Sequence, residues 1–213
     1  MKHVRIFAAV NLSIASVRKI ADLQQELRKG TPAGLKVRWV PPANLHATVK
    51  FYGHLAPEQV VAVKDAAQKA VDGLRPFALA TRGVGVFPDL QRPRVIWVGL
   101  QDGVEALQTL RSRLEEASEA LGFERDPRAF RPHLTIGRIK AGQDGLAEWL
   151  ETHAEADCLI STVEELVIYE SRLHRAGAEY IAQGRFPIGI PATPAAEVPE
   201  PEAPQAAQGD DTE

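Results

Sequence analysis

The sequence holds a single cysteine, Cys158, so it can form no intramolecular disulfide, and it lacks the C-x-x-C spacing of a zinc site or redox couple. A reducing, cytoplasmic setting is therefore expected. Long apolar runs are also missing. The run at residues 6–10 is too short for a signal-peptide core and stops at Asn11. Nothing approaches the roughly 18 apolar residues that a membrane helix needs, so no membrane association is expected. Basic residues are absent from 191–213, where six acids and five prolines lie among Ala, Gln and Gly. Such a segment cannot bury enough apolar surface to offset the entropy of ordering, and a disordered acidic Pro/Ala-rich tail is expected there, behind one folded domain over 1–190. Without those six acids, the formal net charge of -3 gives way to a body of 25 basic and 22 acidic residues. That mild excess, with no continuous basic stripe, fits an anionic group at a chain end better than sequence-independent binding along a nucleic acid.

What is present is an ordinary globular composition, 45% hydrophobic and 25% charged. Apolar residues recur with helical period at about 16–29, from Pro57 onward through Val60, Val63, Ala67 and Val71, at about 102–121, and more weakly at 144–153. The third of these carries Leu107, Leu110, Leu114, Ala117 and Leu121 on one face, with Asp102 as the expected N-cap and Glu105 at the capping-box position. Strands are expected at 5–11, 36–40, 46–52, 77–86, 95–100, 133–139, 162–169 and 179–186. This alternation specifies an α+β domain. The order also reads as two similar halves, each with one copy of a short motif.

That motif is His-x-Thr. It occurs in Asn44-Leu45-His46-Ala47-Thr48-Val49-Lys50-Phe51 and, 87 residues later, in Arg131-Pro132-His133-Leu134-Thr135-Ile136-Gly137-Arg138. Six histidines and nine threonines in 213 residues give about 0.25 chance matches, so two copies in strand context are informative. Side chains alternate along a strand, which sets His46 and Thr48 on one face and Ala47 and Val49 on the other, with the same division around His133 and Thr135.

Two imidazoles that titrate near neutral pH can supply both the base and the acid needed to open a cyclic phosphodiester. Thr48 and Thr135 are candidate hydroxyl donors to phosphoryl oxygens. Asp and Glu are missing from both motifs and no His-x-x-x-His pair accompanies them, so no metal and no other cofactor is expected. Around the motifs, Lys50 shares the His46 face by strict alternation. Arg131 has the parity of His133, whereas Arg138 falls on the opposite face and would need a bulge to join it. Phe7 could stack a base or simply pack in the core. His3, His54, His153 and His174 lie near termini or turns and read as solvated.

At these residues the chain resembles the 2H phosphoesterase superfamily, and within it the bacterial and archaeal RNA 2',3'-cyclic phosphodiesterases, also called 2'-5' RNA ligases. RIFAAV, RWVPPANLHATVKFYG, Phe87-Pro88 followed by PRVIWVGL, RPHLTIGR, and the late Tyr169-Glu170-Ser171 with Gly177-Ala178-Glu179-Tyr180 occur in that family's order, over about residues 3–190. The resemblance implies two pseudo-symmetric lobes of antiparallel sheet with outer helices around a central cleft, one His-x-Thr per lobe. It further implies His46 as proton donor to the leaving 3' oxygen and His133 as proton acceptor from water, giving a 2'-phosphate. Thr48, Thr135, Arg138 and Arg131 would serve the phosphate and Phe7 the nucleotide. Partners would be RNA ends or nucleoside 2',3'-cyclic phosphates, handled by a monomer. The same histidines could run the reaction backwards as a 2'-5' ligase, and a non-catalytic module gripping RNA ends is a third reading.

Overall fold

The computed structural model of the protein describes residues 3–153, 159–174 and 177–189; Cys158 and the expected tail at 191–213 lie outside them. The chain runs β1 (Val4–Asn11), α1 (Ile14–Lys29), β2 (Lys36–Trp39), a 3-10 turn (Pro42–Asn44), β3 (His46–Leu55), α2 (Pro57–Val71), β4 (Phe77–Phe87) and β5 (Val95–Leu100). It continues with α3 (Val104–Glu119), β6 (His133–Ala141), α4 (Leu146–Glu151), β7 (Leu159–Val163), β8 (Glu165–Leu173) and β9 (Ala178–Pro187). No helix among the described residues is long and apolar enough to cross a membrane.

All nine strands join one antiparallel sheet in the order β7-β4-β5-β6-β3-β1-β8-β9, with β2 added on β6. The order is pseudo-symmetric about the β6/β3 junction. On one side of the β6/β3 junction lie β5, β4 and β7; on the other lie β1, β8 and β9. These are the two lobes. Each draws strands from both halves of the sequence, so the halves read from the sequence are not the lobes. Helices interchange as well: α2 and α3 cover the β3-β1-β8-β9 lobe, whereas α1 reaches across to β7. The Gln24 amide of α1 donates to the carbonyls of Val40 (2.9 Å) and Ile136 (2.7 Å), tying that helix beneath β6. Such pairings depend on contacts over 100 residues apart in the chain, which local periodicity does not report.

β1 is central and all five residues Ile6 to Val10 are buried. Ile6, Ala8 and Val10 enter the core under the helices, leaving Phe7 and Ala9 on the opposite, cleft-facing side. In α2 the apolar face is Val60, Val63, Ala66, Ala67, Ala70 and Val71, with Pro57 in the first turn, where its missing N–H costs nothing. The Gln59 side chain accepts from the Ala56 backbone N–H at 2.9 Å.

Three expectations are corrected. The strand read at 162–169 is two strands broken at Glu164, because β7 pairs with β4 at one end of the sheet and β8 pairs with β1 near the other. One residue spans that change of partner, so the sheet must curl until its ends nearly meet. The α3 N-cap is not Asp102 but Gly103, at φ 72°, where an added Cβ would stand 1.8 Å from the Ala78 carbonyl oxygen. Leu121 also falls past the end of α3 and is 40% exposed.

Gly103→Ala is expected to lower the unfolding free energy by at least about 2 kcal/mol, combining left-handed strain with the clash. Gly122→Ala, at φ 86° with open space around it, carries the strain alone and should cost about 1 kcal/mol. Urea unfolding of the two variants checks the order.

Candidate active site

The two His-x-Thr motifs meet at the centre of the sheet. The antiparallel β3–β6 pairing rests on one residue pair, Ala47 opposite Leu134, which are the middle residues of the motifs. Antiparallel continuation from that pair sets Thr48 across from His133 and His46 across from Thr135. The two histidines are then diagonal neighbours on one face. Around this junction the lobes repeat each other: Val10 pairs with Ala47 as Val98 pairs with Leu134, and Ala9 with Thr48 as Trp97 with Thr135.

Each motif strand then carries a β-bulge at the same point. The register of β1 on β3 slips between Ala8 and Ala9, skipping Val49, and that of β5 on β6 slips between Ile96 and Trp97, skipping Ile136. An extra residue reverses the alternation beyond it. Lys50, expected beside His46, is instead buried below the sheet, where its ammonium pairs with the Glu115 carboxylate and donates to the Glu124 carbonyl at 3.0 Å. The same slip brings Phe51 to the cleft face, 5.8 Å from the Phe7 ring, and exposes it. In β6 the residue equivalent to Lys50 is Gly137, and the exposed one is Arg138, which the bulge returns to the histidine face. Gly137 is the one hint of this in the sequence, since glycine within a strand often marks a bulge.

Each imidazole is held from behind by a carbonyl two residues earlier: His46 Nδ1 by Asn44 at 2.8 Å and His133 Nδ1 by Arg131 at 2.7 Å. A carbonyl only accepts, so both Nδ1 atoms carry protons and both Nε2 atoms are free to act as bases. The Thr48 hydroxyl donates to His46 Nε2 at 3.0 Å. Thr135 makes no hydrogen bond through its hydroxyl to any described residue. Burial pushes the His46 pKa down from 6.5 to about 4; the Asn44 carbonyl opposes this, and the charges of His133 and Arg138 add to it. His133 is lowered too, by burial and then Arg138, against the Arg131 carbonyl. Arg138 thus acts electrostatically on both imidazoles.

Aromatic rings wall the His46 side. Phe7 is only 2% exposed and lies 5.0 Å from the His46 ring, 5.4 Å from Tyr169 and 5.0 Å from Tyr180. It packs behind the imidazole and offers no open face to a base. The Tyr169 hydroxyl donates to Asn11 Oδ1 at 3.0 Å, and these two residues, with Asn44, Tyr180 and Arg185, line a 250 Å³ recess on His46. A larger cavity of 490 Å³ opens on the other side, reaching Thr48 and His133 between Phe51, Phe87, Phe130 and Arg94. Phe87 meets His133 edge-on at 4.9 Å, and Arg131 lies over Phe87 at 6.0 Å. Phe51, Phe87, Phe130 and Arg94 were invisible as site residues in the sequence, because they come from a bulge, from the end of β4 and the connection after it, and from the α3–β6 connection. Among the described residues no three His, Cys, Asp or Glu side chains converge in a way that could hold a metal ion.

The pattern that defines the LigT like phosphoesterases matches the chain twice, over residues 14–97 and 98–180. The chain is 32% identical over 179 residues to a Methanothermobacter thermautotrophicus protein named RNA 2',3'-cyclic phosphodiesterase, covering 83% of this chain and 95% of that one. It is 29% identical over 191 residues to a protein of the same name from Aquifex aeolicus, covering 89% of this chain and 100% of the other. A crystal structure from Thermus thermophilus superposes with a TM-score of 0.67 at 25% identity, covering 86% of this chain and 97% of that chain.

Two outcomes are expected. Because the folded protein holds His46 neutral, stability should fall as pH drops from 6.5 to about 4 and level off below, by up to about 3 kcal/mol from this group. His46→Gln should flatten that part of a pH series of thermal melts. Lys50→Met leaves the buried Glu115 carboxylate with Arg111 alone, 3.6 Å away, and should cost about 3 kcal/mol, whereas Lys50→Met with Glu115→Leu should recover most of the loss, as read by urea denaturation.

Proposed function

The chain belongs to the LigT-like phosphoesterase family, and on that premise we propose that it hydrolyses 2',3'-cyclic phosphates at RNA ends, or on nucleosides, to 2'-phosphates. The observation that carries this reading is the pair of imidazoles at the β3–β6 junction, each with Nδ1–H fixed on a carbonyl, which leaves both Nε2 atoms for a phosphate between them. In-line displacement at phosphorus puts the attacking water and the leaving oxygen on opposite sides of the phosphoryl group. A base and an acid on opposite sides of the phosphate are what that geometry requires, and the diagonal offset of the two histidines sets them apart on two strands, with room for the phosphoryl group between.

His133 Nε2 takes a proton from water as the water attacks phosphorus. The bond to the 3' oxygen breaks and His46 Nε2–H protonates that oxygen, leaving a 2'-phosphate and a free 3'-hydroxyl. The electron pair of the broken P–O bond departs with the 3' oxygen. Burial holds His46 neutral, so its role as donor depends on the substrate. A phosphate anion in the cleft favours the imidazolium and lifts the pKa that burial has lowered. Thr48 then exchanges His46 for a phosphoryl oxygen, Thr135 donates to another, and Arg138 balances the charge that builds there. Arg131 lines the same cavity and adds positive potential, while its carbonyl orients His133. The base lies on the apolar wall of Phe51 and Phe87, with Phe7 supporting His46 from behind.

Ligation to a 5'-hydroxyl uses the same groups in reverse and needs two RNA ends held together in the cleft. Water therefore prevails in the proposed reaction.

With a 2',3'-cyclic mononucleotide in EDTA, kcat/KM should follow a bell-shaped pH profile, and His46→Ala and His133→Ala should each lower it by about 10²–10⁴-fold. Phosphorus NMR should show the 2'-phosphate alone. Loss of activity in EDTA or full activity in either variant would overturn the proposal. Inorganic phosphate should raise the His46 pKa above about 4 in an imidazole NMR titration; an unmoved or lower value would deny His46 its contact with the anion.

A further inference from the structure

The 490 Å³ cavity at His133 does not end at Arg94. That arginine also lines a second, 760 Å³ groove, together with Arg92, Arg138, Lys140, Gln91, Gln143 and Asp144. The groove runs between the β4–β5 connection and the outer half of β6, which are held side by side: Arg138 pairs with Val95, and the Ile139 N–H donates to the Arg94 carbonyl at 2.9 Å. The connection is itself ordered by Asp89, whose carboxylate accepts from the Arg92 backbone N–H at 2.8 Å.

Four cations therefore line one trough that begins at the phosphate-facing Arg138 and leads outward. Arg92, Arg94, Arg138 and Lys140 are all exposed, and none forms an ion pair with a described residue. Elsewhere around the cleft three arginines are engaged by acids. Arg128 is paired with Asp126 at 2.8 Å, Arg111 with Glu115 at 3.6 Å and over the Phe130 ring, and Arg185 with Glu165. Asp144 is the single acid in the groove.

We propose that this groove binds the phosphodiester backbone of the RNA strand leading into the active site, so that the preferred substrate is an oligonucleotide with a cyclic end, not a free nucleotide. The inference rests on the activity proposed above. Arg94 and Arg138 flank the first internucleotide phosphate, and Arg92 and Lys140 the next. No aromatic residue lines the groove to stack a base, so contact there is with phosphate and is independent of upstream sequence. Folding assembles this stripe from residues more than 40 positions apart in the chain, which is why the sequence shows no basic run.

The test uses Arg92→Ala with Lys140→Ala, both exposed and outside the reacting centre. At low salt the double variant should lose about tenfold in kcat/KM on a short RNA ending in a 2',3'-cyclic phosphate, and the slope of log kcat/KM against log salt should flatten by about one. Hydrolysis of a 2',3'-cyclic mononucleotide should stay within about twofold of the parent protein. Equal effects on both substrates, or none on either, would overturn the groove. Anisotropy binding of the same RNA carrying a 2'-phosphate reads the groove without turnover. A tenfold weakening there in a protein that hydrolyses neither substrate would retain the groove and reject the reaction, whereas unchanged binding with intact turnover would do the reverse.

Discussion

One residue pair organises this protein. Ala47 opposite Leu134 is the whole β3–β6 ladder, and it joins a five-stranded and a four-stranded lobe whose strands then splay apart. Longer pairing would close the space between the lobes with backbone; no pairing would leave the two motifs without a fixed relation. Since the paired residues are the middle ones of each His-x-Thr, the contact also sets the register of every functional group next to it. Both face the core and are buried, Ala47 under one lobe and Leu134 under the other, so packing below the sheet holds the geometry above it.

The bulges complete that arrangement and then divide the labour between lobes. Each puts a residue five positions after the histidine on the cleft face: Phe51 in one strand, Arg138 in the other. Symmetry-related positions thus offer a ring on one side and a cation on the other, which suits a ligand with a base at one end and a phosphate at the other. Below the sheet the lobes also differ. Lys50 is held by Glu115, whereas Gly137 leaves no space, since an added Cβ would meet Val37 at 3.0 Å. Burial favours the neutral form of both imidazoles, and an anion beside them would oppose it.

Much of this was legible in the sequence where the physics is local. Period and turn residues place α1, α2 and the cores of most strands within a few residues, and alternation correctly sets His46 with Thr48 and His133 with Thr135 on one face. It fails at Lys50 and would have failed at Arg138, because a bulge is a property of two paired strands and neither strand alone encodes it. The break at Glu164 was hidden for the same reason, as was the interchange of strands between halves. Phe7 reads as a possible stacking residue only until its neighbours are known: Tyr169 and Tyr180 arrive from more than 150 residues away and bury it. The basic groove depends in the same way on a hairpin connection lying beside β6.

The division of roles between the two histidines is the central claim, and a sulfur substitution tests it most directly. A 2',3'-cyclic substrate with sulfur in place of the 3' oxygen has a leaving group that departs without a proton. If His46 is the acid and His133 the base, the substitution should restore most of the activity lost in His46→Ala and none of that lost in His133→Ala. Rescue of His133→Ala, or equal failure of both variants on the sulfur substrate, would contradict it.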